Sequence, residues 1–252
     1  MAYINLLLIL CYEFDLSMKI CLVLVLVANL VCKGQTLLGF WETGTVDKAG
    51  FEAFEGRVAR HVNMLKDQRH KDDVQFLFQV YRKTSKAFFE QYQPLVEFNQ
   101  LADGVYDCLT ATALYTVILN ELNIPYRVYE TNYHIFLTVQ LPSREILIET
   151  TDRLTGFITD EAEINRIRTK YVRQAPVARA NKTVFDYSGN LDQAVSDEQL
   201  NGLLLFNQAV KAYNDGSWKA SDDKLRQSEQ YYQSARTREL RELIQLTRTI
   251  VS

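Results

Sequence analysis

Residues 108–122, CLTATALYTVILNEL, place apolar side chains on most faces of any helix they form, and directly after them the hydrophobic repeat changes to a period of two. A helix with no polar face has to be surrounded by protein, so this stretch predicts the central buried helix of the domain. Asp107 is its expected N-cap, and Asn123 marks its end. YRVYET (126–131), HIFLTVQ (134–140) and EILIETT (145–151) are rich in Ile, Val, Tyr and Thr and predict strands. The short LPSR linker makes the last two an antiparallel hairpin. A buried helix packed on an antiparallel sheet is an α+β arrangement.

The flanks are helical. In residues 46–92, Phe51, Phe54, Val58 and His61 form one stripe; Val74, Leu77, Tyr81, Ser85 and Phe88 form a second. They predict two amphipathic helices divided near DQRHKDD (67–73). Pro94 then leads into a turn that reaches Gly104. A further helix is expected over 158–172, then an irregular stretch, 173–195, with a short strand at TVFDY (183–187). Three helices are expected over about 197–214, 218–232 and 235–250. Within them NQAVKAYNDGSWKASDDKLRQSEQYY resembles a degenerate tetratricopeptide unit, with Tyr213, Gly216, Trp218, Leu225 and Ser228 near its small and aromatic positions. It is one residue short between Tyr213 and Gly216, and a single repeat cannot bury its own face. A plain helical hairpin packed on the main domain fits the same residues.

From Met18 the sequence runs MKICLVLVLVANLVCKGQT: a lysine, a short apolar core over 20–32, then small and polar residues. Those are the proportions of a signal peptide rather than a membrane span. Cleavage after Gly34 leaves Gln35 first, with Met18 as the true start and Glu13 and Asp15 interrupting the apolar piece upstream. A lipidated Cys32 is the competing reading, with Val31 a poor residue before it. The expected organisation is a leader over 1–34, a main domain over 35–195 and a helical segment over 196–252. The expected destination is the periplasm or the outer envelope, with membrane contact only through a retained or lipidated leader. The 28 basic residues are scattered in a chain of net charge −3, so no nucleic-acid partner is expected. No GxGxxG, Walker A, HExxH, CxxC or DxDxDG pattern appears, and neither cofactor nor metal is expected.

Three of the four cysteines, Cys11, Cys21 and Cys32, lie in the leader, so export leaves Cys108 without a disulfide partner. At the first turn of the buried helix a thiolate would meet the positive end of the helix dipole and free N–H groups that also suit an oxyanion. A base is needed within reach, oriented by a third group. Pairing Phe136 with Leu147 and Thr138 with Glu145 puts His134 opposite Glu149 on one sheet face. Ile135, Leu137, Val139, Ile146 and Ile148 then fall on the other face as core. Asp152, an odd number of residues beyond Glu149, falls to the opposite face and is the reserve. Asn99 and Gln100 precede the cysteine closely enough to offer a second oxyanion donor.

With GVYDCLTATALY, YHIFLTV and ILIETTDRLTGF in hand, residues 95–157 resemble the core of the transglutaminase-like superfamily, in particular exported bacterial members. The resemblance covers about a quarter of the chain. It implies a papain-like fold with cysteine on a helix, histidine on the next strand and an acid on the one after. That assigns Cys108, His134 and Glu149 as catalytic, with Glu149 standing where the family usually has aspartate. It further implies an exported cysteine hydrolase or acyltransferase acting on peptide or protein amides through a thioester, with water or an amine as acceptor. The alternative is a non-catalytic scaffold that binds peptides or a protein partner through its C-terminal helices.

Overall fold

A computed structural model of the chain describes residues 37–252 except 46, 70, 71, 133, 174–184, 188 and 252. The leader expected over 1–34 lies outside the described residues. Residues 37–252 form one compact unit of mixed helix and antiparallel sheet, an α+β fold. No helix among the described residues is long and apolar enough to cross a membrane.

The two amphipathic stretches fold as α1 (Lys48–Asp67) and α2 (Asp73–Phe88), the second capped by the Asp72 side chain on the Gln75 amide. Their stripes, including Phe54, Val58, Leu77, Tyr81 and Phe88, are buried against one side of the central helix α3 (Cys108–Glu121). Each such side chain contributes about 1.5–3 kcal/mol of burial free energy. Every residue of α3 from Leu109 to Leu119 is buried, as a helix without a polar face requires. It ends at Asn123 in the left-handed conformation (φ 54°), a geometry that Asn tolerates well.

The segment between α2 and α3 is more ordered than the expected turn. It holds β1 (Gln91–Tyr92), a 3₁₀ helix (Phe98–Asp103) and β2 (Val105–Tyr106), with β1 and β2 paired in parallel. Arg57 stacks over Phe54 and Phe88 and donates to the carbonyls of Leu101 and Ala102 (2.8 and 3.1 Å), pinning the 3₁₀ helix to α1.

Five strands form the main sheet: β3 (Tyr126–Thr131), β4 (Ile135–Gln140), β5 (Glu145–Ile148), β6 (Phe157–Ile158) and β7 (Asp192–Val195), in the order β6-β5-β4-β3-β7. Residues 185–187 of the expected TVFDY strand are not strand; β7, a few residues further on, pairs with β3 instead. One face, with Ile135, Leu137, Val139, Ile146 and Ile148, packs on the α3 core. The other, with Phe136, Leu147 and Ile158, is covered by Ile164 and Ile167 of α4 (Glu161–Arg173). The hairpin register differs from expectation by two residues: Leu137 pairs with Ile148 and Thr138 with Leu147. Leu141 and Arg144 close a tight turn around Pro142 and Ser143 with a 2.9 Å backbone hydrogen bond, which sets Gln140 opposite Glu145. A slip of two preserves the facing of every side chain.

α5 (Asp197–Asn214), α6 (Trp218–Ser228) and α7 (Ala235–Val251) complete the chain. α5 and α6 approach closely at small residues: Ser228 Oγ donates to the Gly202 carbonyl at 2.6 Å and Ser221 Oγ to the Ala209 carbonyl at 2.8 Å. A Cβ on Gly202 would lie 2.3 Å from that of Tyr232. The buried Glu130 carboxylate on β3 ties these helices to the sheet, pairing with Arg236 and accepting from Tyr232 Oη (2.6 Å) and Gln193 Nε2 (3.0 Å).

Candidate active site

Cys108 is the first residue of α3, half-buried and free. Asp107 caps the helix, its carboxylate accepting from the amides of Thr110 (2.8 Å) and Val96 (3.3 Å), while Thr110 Oγ1 accepts from the Asp107 amide. Burial pushes the Asp107 carboxyl up, and the Thr110, Val96 and Leu109 hydrogen bonds pull against it. Its carboxylate is fully occupied with holding the helix tip.

His134 sits one residue before β4, and its carbonyl accepts from both the amide (2.8 Å) and the hydroxyl (3.0 Å) of Thr131. Glu149 directly follows β5, its amide bonded to the Gly156 carbonyl at 2.8 Å. In the observed register Glu149 is not straight across from His134, but the two lie on one face at the same end of adjacent strands. The side chains meet diagonally, His134 Nε2 on Glu149 Oε2. The Cys108 side chain interacts with the same ring, its hydrogen bond and charge raising the imidazole pKa. Thr150, next to Glu149, reaches the Cys108 carbonyl (3.4 Å) and Thr112 Oγ1 (3.3 Å), tying the carboxylate's end of the sheet to the helix that carries the sulfur.

The carboxylate is saturated. Oε1 accepts from Thr151 N (3.0 Å) and Thr151 Oγ1 (2.6 Å); Oε2 faces His134 and accepts from Tyr171 Oη at 2.7 Å. The Tyr171 ring also covers the imidazole, with centroids 4.4 Å apart. Burial pulls the His134 imidazole down, but the hydrogen bonds and charges of Cys108 and Glu149 outweigh it and leave it well above an ordinary histidine. Burial pushes Glu149 up, and His134, Thr151 and Tyr171 outweigh it, holding it below the ordinary carboxylate range. The arrangement therefore favours an imidazolium held between sulfur and carboxylate.

Asp152 stands apart: its exposed carboxylate accepts from the amides of Leu154 and Thr155 (3.1 and 2.9 Å) and shapes the turn after β5. That turn needs Gly156, where a Cβ would lie 2.2 Å from the Glu149 carbonyl and 2.4 Å from that of Asp152. Asn99 and Gln100 are not at the sulfur. Asn99 Nδ2 donates to the Thr45 carbonyl (2.9 Å) and Gln100 Oε1 accepts from the Glu97 amide (2.9 Å), because the 3₁₀ helix turns both away. The phenol of Tyr92 is the polar group the sequence reading missed. It lies on the exposed strand β1 and lines the same cleft as the cysteine, where partial desolvation and the Cys108 and Asp107 charges raise its pKa. Tyr171 was missed too: it fell in an expected helix, and nothing in the local pattern showed which strand that helix would cover.

A cleft of about 520 Å³ opens on Cys108 and His134. It is lined by Tyr92, Pro94 and Leu95 from the segment ahead of α3 and by residues of α5. Comparisons with protein-family models, curated proteins and solved structures gave no match.

Proposed function

We propose that this protein is a transglutaminase-like cysteine hydrolase or acyltransferase that cleaves peptide or protein amides through a thioester on Cys108. The observation that carries the reading is the line of sulfur, imidazole and carboxylate, drawn from three separate elements and ending in an open cleft. In this reading the α+β core is papain-like, and the leader over 1–34 sends the enzyme to the periplasm or outer envelope.

The thiolate adds to the amide carbon, forming the C–S bond and an oxyanion. Backbone amides at the tip of α3 and the Tyr92 phenol hydrogen-bond that oxygen. His134, held protonated by its neighbours, gives its Nδ1 proton to the departing nitrogen as the C–N bond breaks. The amine leaves and a thioester remains. Neutral His134 then takes a proton from water, or from an acceptor amine, as that nucleophile adds. The C–S bond breaks, the thiolate returns, and the product is an acid or a new amide. Glu149 holds the ring and Tyr171 holds Glu149. Labelling with a peptidyl electrophile tests the assignment: a single adduct on Cys108, lost in Cys108→Ala and much slowed in His134→Ala, supports it. An unmodified Cys108 in the folded protein refutes it.

The packed α5–α6 pair, joined through Gly202, Ser221 and Ser228, favours a second reading as a peptide- or partner-binding scaffold without catalysis. Full rescue of a deletion strain by Cys108→Ala selects that reading.

A further inference from the structure

The sequence marks the C-terminal helices as a separate segment, yet they reach the catalytic cleft. Leu203, Phe206, Asn207 and Val210 lie along one face of α5 and line the cavity that opens on Cys108. Phe185, packed edge-on against Phe206 with centroids 5.8 Å apart, extends that wall. Leu95, also in the lining, packs on the same C-terminal cluster and holds the left-handed conformation at φ 56°. A branched non-glycine residue rarely adopts that geometry and costs on the order of 1–3 kcal/mol there. The strain is located where the turn ahead of α3 meets α5, in the lining of the cleft.

The charged groups in the cavity narrow what it accepts. Apart from His134, which is engaged with Glu149 and Cys108, Arg236 is the only cation among the described lining residues, and it is already paired with Glu130 and stacked on Phe206, 4.6 Å from the centroid. Asp107 is consumed by the helix cap. Asp186 adds a further carboxylate to the lining. Outside the Cys108–His134–Glu149 set no lining cation is left to meet an incoming carboxylate, whereas an apolar side chain finds hydrocarbon from Leu95, Phe185 and α5. A volume of about 520 Å³ holds a phenylalanine side chain with room for the adjoining backbone.

We propose that α5 is the specificity wall of the Cys108 cleft, and that the cleft selects peptide substrates carrying a bulky apolar side chain, aromatic or branched aliphatic, beside the scissile amide. This rests on Cys108 being the nucleophile. The walls belong to parts of the chain far apart in sequence, so the C-terminal segment serves the chemistry directly by choosing what reaches it.

Matched dipeptidyl acyloxymethyl ketones, varied through Phe, Leu, Gly and Asp at each of the two residues nearest the electrophile, read this preference. The probes are applied to the full chain, with iodoacetamide labelling of Cys108 measured in parallel. The expected result is labelling at least tenfold faster for Phe or Leu than for Gly or Asp at one of the two positions. Asn207→Trp, which fills the cleft from a half-buried site without removing a core side chain, should slow the Phe probe at least fivefold more than it slows iodoacetamide labelling. A flat profile, an Asp preference, or Phe labelling indifferent to Asn207→Trp overturns the specificity wall while leaving the nucleophile standing. Loss of iodoacetamide labelling in the folded wild type overturns both.

Discussion

Glu149→Gln is the sharpest perturbation of the site, because it preserves shape and removes only an acceptor. The carboxylate accepts from Thr151 on Oε1 and from Tyr171 on Oε2, where it also faces His134. A glutamine brings one NH₂ group, and neither placement satisfies the site. Set at Oε1, it confronts the Thr151 amide, a donor that cannot turn away. Set at Oε2, it donates to His134 Nε2, so the ring proton moves to Nδ1 and the neutral imidazole can no longer accept a proton from the thiol. An orphaned buried donor costs about 1–3 kcal/mol, and 1.4 kcal/mol is a factor of about ten. Alkylation of Cys108 by iodoacetamide at pH 6 should therefore fall about 5- to 150-fold in the variant. The gap should close as pH rises through about 10, where wild-type His134 gives up its proton. Circular dichroism through a urea titration checks that the variant is folded at the assay temperature. Superimposable alkylation profiles from pH 5 to 9 in a folded variant would refute the role given to the carboxylate.

Three other outcomes follow from the same geometry. Tyr92→Phe should lower hydrolysis of a peptidyl coumarin amide by about 10²–10³ while leaving iodoacetamide labelling intact, since alkylation develops no oxyanion. His61 is buried against Thr84 (3.0 Å), and burial with the nearby Lys83 holds its pKa down to about 4. The unfolded chain therefore binds the extra proton between about 6.5 and 4, and stability falls over that window by up to about 3 kcal/mol; urea midpoints in His61→Leu should lose that part of the acid slope. Gly156→Ala drives a Cβ into the Glu149 and Asp152 carbonyls, so melting temperature and Cys108 alkylation at pH 6 should drop together.

The helices were legible because their signals are local. The α1 and α2 stripes, Asp107 before α3 and Asn123 after it fix ends and faces within a few residues. The strands β3 to β5 were legible for a similar reason: β-branched and aromatic residues alternate where one sheet face meets α3. β7 was not. DQAV has little β-propensity, and its residues are strand because β3 offers an open edge. The register was read two residues off because Thr138 was set opposite Glu145, where the turn closed by Leu141 and Arg144 places Gln140.

That error left the chemistry unmoved, which says what kind of information the sequence holds about a site of this type. A shift of two keeps His134 and Glu149 on one face and turns a direct cross-strand pair into a diagonal one, still within reach of two long side chains. A shift of one would have separated them. Facing is set by hydrophobic alternation, readable from a few residues, whereas the partners that tune the pair come from elements whose placement is a tertiary outcome. Tyr171 arrives on α4, Tyr92 on a two-residue strand, and part of the cleft lining on α5. Nothing in their local sequence distinguishes these aromatic and aliphatic residues from core. Cys108, His134 and Glu149 were visible as a pattern of types in order; what lines the cleft beside them is written in packing between segments, and only coordinates bring those segments together.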